Sequence, residues 1–208
     1  MAGWFARHAR VLGVTTLFWG CLGFSACARE APAPAATVEP ARAPIESELA
    51  VLPNNVAILS SKGRITAIGG DGNIVWELAL PDGDAAIAPV AVGLNSVAYV
   101  RGTKAIHAVR PEGKWLWSKP LDGQSSGRSR ATNTPVAMSD STVALIVGDD
   151  VLRFDHEGAL RWRLSIPEGK IVGRPAAGMD GSLLVYTTAG VYSINPEGAV
   201  SWRRVVGG

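Results

Sequence analysis

A glycine followed four residues later by a tryptophan occurs four times in this chain, at nearly equal intervals. The four pairs are Gly72 and Trp76, Gly113 and Trp117, Gly158 and Trp162, and Gly198 and Trp202. Successive tryptophans of the series are separated by 41, 45 and 40 residues. A period near 40 residues is typical of propellers and solenoids, in which each repeat buries its apolar surface against its neighbour. The spacing therefore predicts a repeat protein.

Each repeat carries short apolar segments separated by turn residues, which is the pattern of consecutive strands. Second strands are predicted at Val56–Leu59, Val97–Val100, Val143–Val147 and Leu183–Thr187, and third strands at Ile65–Ile68, Ile106–Val109, Val151–Phe154 and Val191–Ile194. A short strand precedes these, and the glycine–tryptophan segment supplies a fourth. With no helical periodicity, the sequence predicts an all-β propeller domain over residues 48–208. It has four four-stranded blades, at about residues 48–81, 88–121, 134–167 and 174–206.

The turn before each fourth strand explains the recurrent glycine. In Asn195-Pro196-Glu197-Gly198, asparagine is first, proline second and glycine fourth, as a type I turn prefers. Glycine accepts a positive φ and can begin a bulge into the outgoing strand. Acidic residues in these turns, such as Glu197, are therefore interpreted as turn residues and not as catalytic groups.

The N-terminus has the layout of an export signal. Arg7 and Arg10 form a positive head, and Val11 to Leu22 is an apolar run too short for an ordinary membrane span. We therefore expect residues 1–26 to be a lipoprotein-type signal peptide, although a retained membrane anchor is an alternative.

The residues that end this signal predict a lipid anchor. Phe24-Ser25-Ala26-Cys27 resembles a bacterial lipobox, in which the cysteine is acylated. Plain secretory cleavage near Ala28 is the competing interpretation. Residues 27–47 are dominated by proline and alanine, which predicts a semi-stiff, extended tether.

Charge and cysteine content restrict the partners and the source of stability. Arg7 and Arg10 of the signal account for the net charge of +2, so the remaining chain is neutral. Neutrality argues against a nucleic-acid partner, because phosphate binding needs clustered positive charge. Cys21 would leave with the signal and Cys27 would carry lipid, so no internal disulfide is expected.

The segment from Ile65 to Ile68, followed by Asp71-Gly72-Asn73-Ile74-Val75-Trp76, resembles the repeat of PQQ-type propellers. The resemblance covers about residues 48–204 and recurs in all four repeats. It implies that the recurrent tryptophan docks against the neighbouring blade. The expected blade-docking core residues are Trp76, Trp117, Trp162 and Trp202.

Two branches of the resembling family differ in function. Quinoprotein dehydrogenases hold a quinone with calcium, commonly beside a vicinal disulfide, whereas lipid-anchored periplasmic propellers include the scaffold lipoprotein of the outer-membrane β-barrel assembly machine. This chain has too few blades and, after processing, no adjacent cysteine pair for the first branch. Its lipobox, tether and neutral body resemble the second, whose members usually have about twice as many blades.

Side chains that could carry chemistry are few. His107 falls on a predicted strand and His156 in a predicted turn, and neither has a partner at metal-ligand spacing. The prediction is therefore a protein without catalytic residues, bound metal or cofactor.

The connection between the second and third repeats, residues 122–134, is the longest and most polar. We interpret Arg128 and Arg130 there as a candidate partner-binding loop, the alternative being a tolerated flexible loop.

The predicted function is a non-catalytic envelope scaffold that binds protein partners, facing the periplasm from the outer membrane. A partial quinoprotein and a structural or sensory module of a larger envelope complex are the alternatives.

No N-terminal latch strand is visible, so the sequence leaves three ways in which the propeller could be closed or incomplete. The four blades close alone, two chains pair into an eight-bladed ring, or the reading frame is truncated.

Overall fold

The protein is all-β, as the repeats predict. A computed structural model describes residues 49–61, 63–122 and 130–206, with the side chains of residues 130 and 131 left out. Sixteen strands form four antiparallel sheets of four strands, each built from consecutive strands in chain order. The prediction of four four-stranded blades is confirmed.

The strand bounds follow the predicted segments closely, and we number the sheets as blades 1 to 4. Blade 1 comprises β1 (Ala50–Val51), β2 (Ala57–Ser61), β3 (Arg64–Ile68) and β4 (Ile74–Ala79); blade 2 comprises β5 (Ala91–Val92), β6 (Ala98–Arg101), β7 (Ala105–Arg110) and β8 (Lys114–Pro120). Blade 3 comprises β9 (Val136–Ala137), β10 (Val143–Val147), β11 (Asp150–Phe154) and β12 (Leu160–Ser165); blade 4 comprises β13 (Ala176–Ala177), β14 (Leu183–Thr187), β15 (Gly190–Ile194) and β16 (Val200–Arg204). A 3₁₀ turn (Pro81–Gly83) and the short helix α1 (Arg130–Asn133) lie in the connections.

Each blade has the same bulge where its third strand meets its fourth. In blade 4 the register shifts between Ser193 and Ile194, and Gly198 of the preceding turn has a φ of 88°. The amide of Gly198 donates to the carbonyl of Asn195 at 3.0 Å, which closes the turn. Corresponding shifts occur in the other three blades. The bulge sets which face of the sheet the following tryptophan occupies.

Three apolar cores join the four blades in sequence. We call the side of a blade toward the next blade its forward face, and the side toward the preceding blade its rear face. Ile58 and Ile65 of blade 1 pack with Val100 of blade 2, and the same pattern joins blades 2 and 3 and blades 3 and 4. The innermost strands also lie side by side, β1 against β5, β5 against β9, and β9 against β13. Alternation along the strands of blades 2 and 3 thus serves two cores at once.

The two outer faces of the series are left exposed. On the rear face of blade 1, Leu49 is 59% exposed and Ile74 is 65% exposed. On the forward face of blade 4, Trp202 is 49% exposed. We expected all four repeat tryptophans to dock in a core. Trp202 is not docked within the described chain, because no described blade packs against the forward face of blade 4.

Several predicted features lie outside the described residues. They are the signal at 1–26, the lipidation site Cys27, the tether at 27–47, and Arg128 of the insertion. Arg130 is the first residue of α1, and its side chain is among those left out. Within the described ranges, no helix has the length and apolarity needed to cross a membrane.

Candidate functional site

The repeat tryptophans connect the blades by one recurring contact. The indole Nε1–H of Trp76 donates to the carbonyl of Pro111 at 2.8 Å. Trp117 donates in the same way to His156 at 2.9 Å, and Trp162 donates to Pro196 at 2.8 Å. Each acceptor belongs to the turn of the next blade, two residues before its glycine. The contact satisfies the polar end of a large apolar side chain at each interface.

The glycine of that turn is the surface on which the tryptophan lies. A Cβ atom at Gly113 would lie 2.6 Å from Cγ of Trp76. Similarly, a Cβ at Gly158 would lie 2.7 Å from Cδ2 of Trp117, and one at Gly198 would lie 2.7 Å from Cγ of Trp162. These glycines have φ near +80°, so both the backbone and the close approach require glycine.

The first glycine of the series and its last tryptophan do not take part in this contact within the described chain. Gly72 has the same backbone conformation, with a φ of 80°, but nothing lies within 4 Å of the position its Cβ would take. Trp202 at the other end is half exposed. The chain thus makes the contact three times and carries one unfilled glycine surface and one undocked tryptophan.

Alanine at Gly158 should destabilise the protein more than alanine at Gly72. Both substitutions place a side chain at positive φ, which costs about 1 kcal/mol. Only Gly158→Ala also drives a methyl group into a packed indole, which adds about 1–3 kcal/mol. Chemical unfolding of the two variants measures the difference, and equal losses of stability would contradict the tryptophan contact at Gly158.

A buried carboxylate ties the connection after blade 1 to blade 2. Asp84 accepts the amides of Ala85 at 2.8 Å and of Lys104 and Ala105 at 3.1 Å each, together with the hydroxyl of Thr103. It also accepts the Nε2–H of His107 at 3.1 Å. Burial opposes the charge of Asp84, but hydrogen bonds from Thr103, His107 and the backbone lower its pKa to about 2.

The imidazole of His107 extends this network to Ser118. With Nε2 donating to Asp84, a neutral ring accepts the Ser118 hydroxyl at Nδ1, 2.8 Å away. Asp, His and Ser in series are the groups of a nucleophilic triad. However, His107 is only 1% exposed and Trp115 lies against its ring, with centroids 5.5 Å apart. A base so enclosed has no room for a substrate, which favours a structural role for the network.

Sequence reasoning missed Asp84 and Ser118 as partners of His107. The one available signal was that His107 occupies a strand position held by Thr66, Leu152 and Tyr192 in the other repeats. His156 is exposed, as a turn residue should be, and its Nε2 lies 3.8 Å from Oε1 of Glu157. In the described part of the chain, no group of three or more His, Cys, Asp or Glu side chains is placed to hold a metal ion.

A second buried polar residue, Arg101, lies on the forward face of blade 2. Its side chain is 0% exposed, and its three guanidinium nitrogens find no hydrogen-bond partner among the described residues. Burial lowers the pKa of Arg101 to about 10, and the nearby charge of Asp84 opposes part of that shift. Arg101 therefore carries a charge at neutral pH in an apolar interface.

Replacing Arg101 with methionine should raise the free energy of unfolding by about 1–3 kcal/mol. The substitution keeps an unbranched apolar stem and removes a buried charge that is poorly compensated. Urea unfolding of Arg101→Met and of the parent measures the change. A loss of stability above about 1 kcal/mol would mean that the guanidinium is engaged in a favourable contact.

Small apolar side chains and backbone line a groove along the innermost strands. Its lining residues include Ala50, Val92, Ala137 and Arg174. A neighbouring groove is lined by Leu94 and Met179, two strongly exposed residues in the turns that follow the first strands. These turns present apolar side chains on a rigid support, as loops of binding proteins do.

Comparison with known proteins agrees with the repeat assignment. A family model described as outer membrane protein assembly factor BamB matches residues 61–208. A comparison with curated proteins finds no match.

Solved structures share the fold at low sequence identity. BamB from Moraxella catarrhalis superposes with a TM-score of 0.62 and 16% identity, over 77% of this chain and 53% of that chain. Virginiamycin B lyase from Staphylococcus aureus gives 0.60 and 17%, over 76% and 54%. BBS1N in complex with ARL6DN gives 0.57 and 18%, over 76% and 50%. The chain thus spans about half the length of these structures. The family-model match covers most of the chain, and the chain belongs to the family of the outer membrane protein assembly factor BamB.

Proposed function

We propose that this protein is an envelope lipoprotein whose propeller blades bind protein partners during the assembly of outer-membrane proteins, without catalysing a reaction. The observation that carries the proposal is the match of residues 61–208 to the assembly-factor family. The enclosed position of His107 and its hydrogen bonds support a binding role over a catalytic one.

The blades supply what a scaffold needs, a rigid support with exposed apolar side chains. Three continuous cores fix each blade to the next. Leu94 and Met179 project from turns on one side. Exposed apolar groups on a rigid frame lose little conformational entropy when a partner binds. Arg128 and Arg130 of the insertion remain our candidates for polar contacts with that partner.

The anchor completes the proposal. Cys27 would carry the lipid, and residues 27–47 would separate it from the blades. An extended proline-rich segment rises about 3.1 Å per residue, so this tether would reach about 60 Å from the membrane surface. The blades would then meet partners in the periplasm while staying bound to the membrane.

In-cell cross-linking tests the partner claim. The full chain is cross-linked in the bacterium, purified from membranes and read by mass spectrometry beside Cys27→Ser and beside Arg128→Glu with Arg130→Glu. We expect outer-membrane assembly proteins to be enriched with the parent chain. Both variants should reduce that enrichment, the first by releasing the protein from the membrane and the second by weakening the contact itself. Equal recovery from the parent and an unrelated periplasmic protein would contradict the proposal.

Metabolic labelling tests the anchor separately. A clickable fatty acid should label the parent chain and place it in the outer-membrane fraction, whereas Cys27→Ser should be unlabelled and soluble. An unlabelled parent chain, cleaved near Ala28 and soluble, would overturn the lipoprotein claim without touching the binding claim.

A further inference from the structure

We propose that the forward face of blade 4 in one copy docks on the rear face of blade 1 in a second copy, so that two chains close one ring of eight blades. The unfilled glycine surface at Gly72 and the undocked Trp202 are the two halves of this contact. Both belong to the same chain, at opposite ends of its series of blades.

The three contacts inside the chain define the geometry of the fourth. In each, the indole lies on the turn glycine of the next blade and donates to the carbonyl two residues before it. Applied to Trp202, this rule places the indole on Gly72 of the second copy and its Nε1–H toward the carbonyl of Gly70. Gly72 already has the φ of the occupied glycines.

The rear face of blade 1 is apolar at the positions that the other interfaces bury. Leu49, Val51 and Ile74 are all more than half exposed. By the strand register, their counterparts in blade 2 are Val90, Val92 and Trp115, which belong to the blade 1–blade 2 core. The rear face of blade 1 is thus composed like a face that receives a blade.

The forward face of blade 4 matches it. Tyr186 and Val206 are exposed, whereas their counterparts in blade 3, Ile146 and Ile166, are buried against blade 4. Charge is complementary at the same contact. Lys119, the blade 2 counterpart of Arg204, extends over the turn glycine of blade 3, so Arg204 would extend over the turn that carries Asp71. Each of the two interfaces of the ring would replace exposed apolar area with one further core.

A second copy is the occupant that these features favour. A heterologous contact between opposite ends of one chain forms a closed ring when the rotation between copies fits. The part of this chain that matches BamB and virginiamycin B lyase covers 53% and 54% of those propellers. Two copies would therefore supply the size of one such propeller.

Native mass spectrometry of the full chain, released from detergent, tests the proposal. The parent should appear at twice the mass of one chain. Trp202→Ala should raise the dissociation constant at least about 100-fold, because a central tryptophan dominates such an interface. The control Leu94→Ala removes a 78% exposed side chain from a turn outside both end faces and should leave the dimer intact.

Photo-cross-linking identifies the contact independently of any loss of folding. A benzoylphenylalanine at position 202 keeps an aromatic group there and, after irradiation, should give a band of twice the monomer mass on a denaturing gel. Its tryptic digest should contain a peptide from Ile65 to Arg101 joined to residue 202 near Gly72. A monomer in native spectra with cross-links inside one chain would overturn the proposal, as would cross-links to a different protein alone.

Discussion

Replacing Trp117 with alanine should lower the free energy of unfolding by about 3–5 kcal/mol, because a packed aromatic side chain is lost and a cavity remains. Trp117 lies between blades 2 and 3, with ring centroids 6.0 Å from Tyr99 and 6.4 Å from Phe154. Its indole also donates to the carbonyl of His156 at 2.9 Å. The variant should unfold at a lower urea concentration, read by circular dichroism.

Trp202→Ala is the matched control for this result. The two tryptophans share the same position in the repeat, but Trp202 is 49% exposed. At concentrations where the chain is monomeric, its replacement should cost less than about 1 kcal/mol. Equal losses for Trp117→Ala and Trp202→Ala would show that docking between blades is not what makes the repeat tryptophan stabilising.

Replacing Asp84 with alanine should cost about 3–5 kcal/mol, because several buried donors lose their acceptor at once. The donors include the amides of Ala85, Lys104 and Ala105 and the imidazole of His107. Glu112→Ala, an exposed turn residue, is the control and should have little effect. A cost below about 1 kcal/mol would mean that water replaces the carboxylate.

The carboxylate of Asp84 also makes the stability of the protein depend on pH. The pKa of Asp84 is about 2 in the folded protein and 3.8 ordinarily, so the charged form is favoured by folding. The stabilisation is complete above about pH 4 and is lost as the pH falls toward 2. Between these values the parent should lose about 2 kcal/mol more than Asp84→Asn. Equal losses of stability in the parent and in Asp84→Asn over this pH range would contradict the lowered pKa of Asp84.

The repeats predict most of this fold because the determinants of a blade are local. Alternating apolar residues set the strands, and the turn glycine sets the bulge that orients the tryptophan. One register detail was less visible. Pro89-Val90-Ala91 and Pro135-Val136-Ala137 have the same sequence, which predicts that Ala137 occupies in blade 3 the position of Ala91 in blade 2. In the structure Val136 occupies that position.

The parts that sequence reasoning missed depend on which segments meet in space. Trp202 has the same local sequence pattern as its three counterparts, and its exposure follows only from the absence of a described neighbour on that face. Asp84 lies in a connection 23 residues before His107, outside any periodic pattern. Arg101 ends an apolar strand, where a charged residue usually indicates exposure, yet it is fully buried.

The amount of outer-membrane β-barrel protein in cells lacking this chain tests the proposed assembly role most directly. Deletion of the gene should lower the folded, heat-modifiable fraction of these barrels, measured by quantitative gel and mass spectrometry of outer membranes. The parent gene should restore that fraction, and Cys27→Ser should restore it only in part because its blades would no longer be held at the membrane. Unchanged barrel levels and folding rates in the deletion strain would contradict an assembly scaffold.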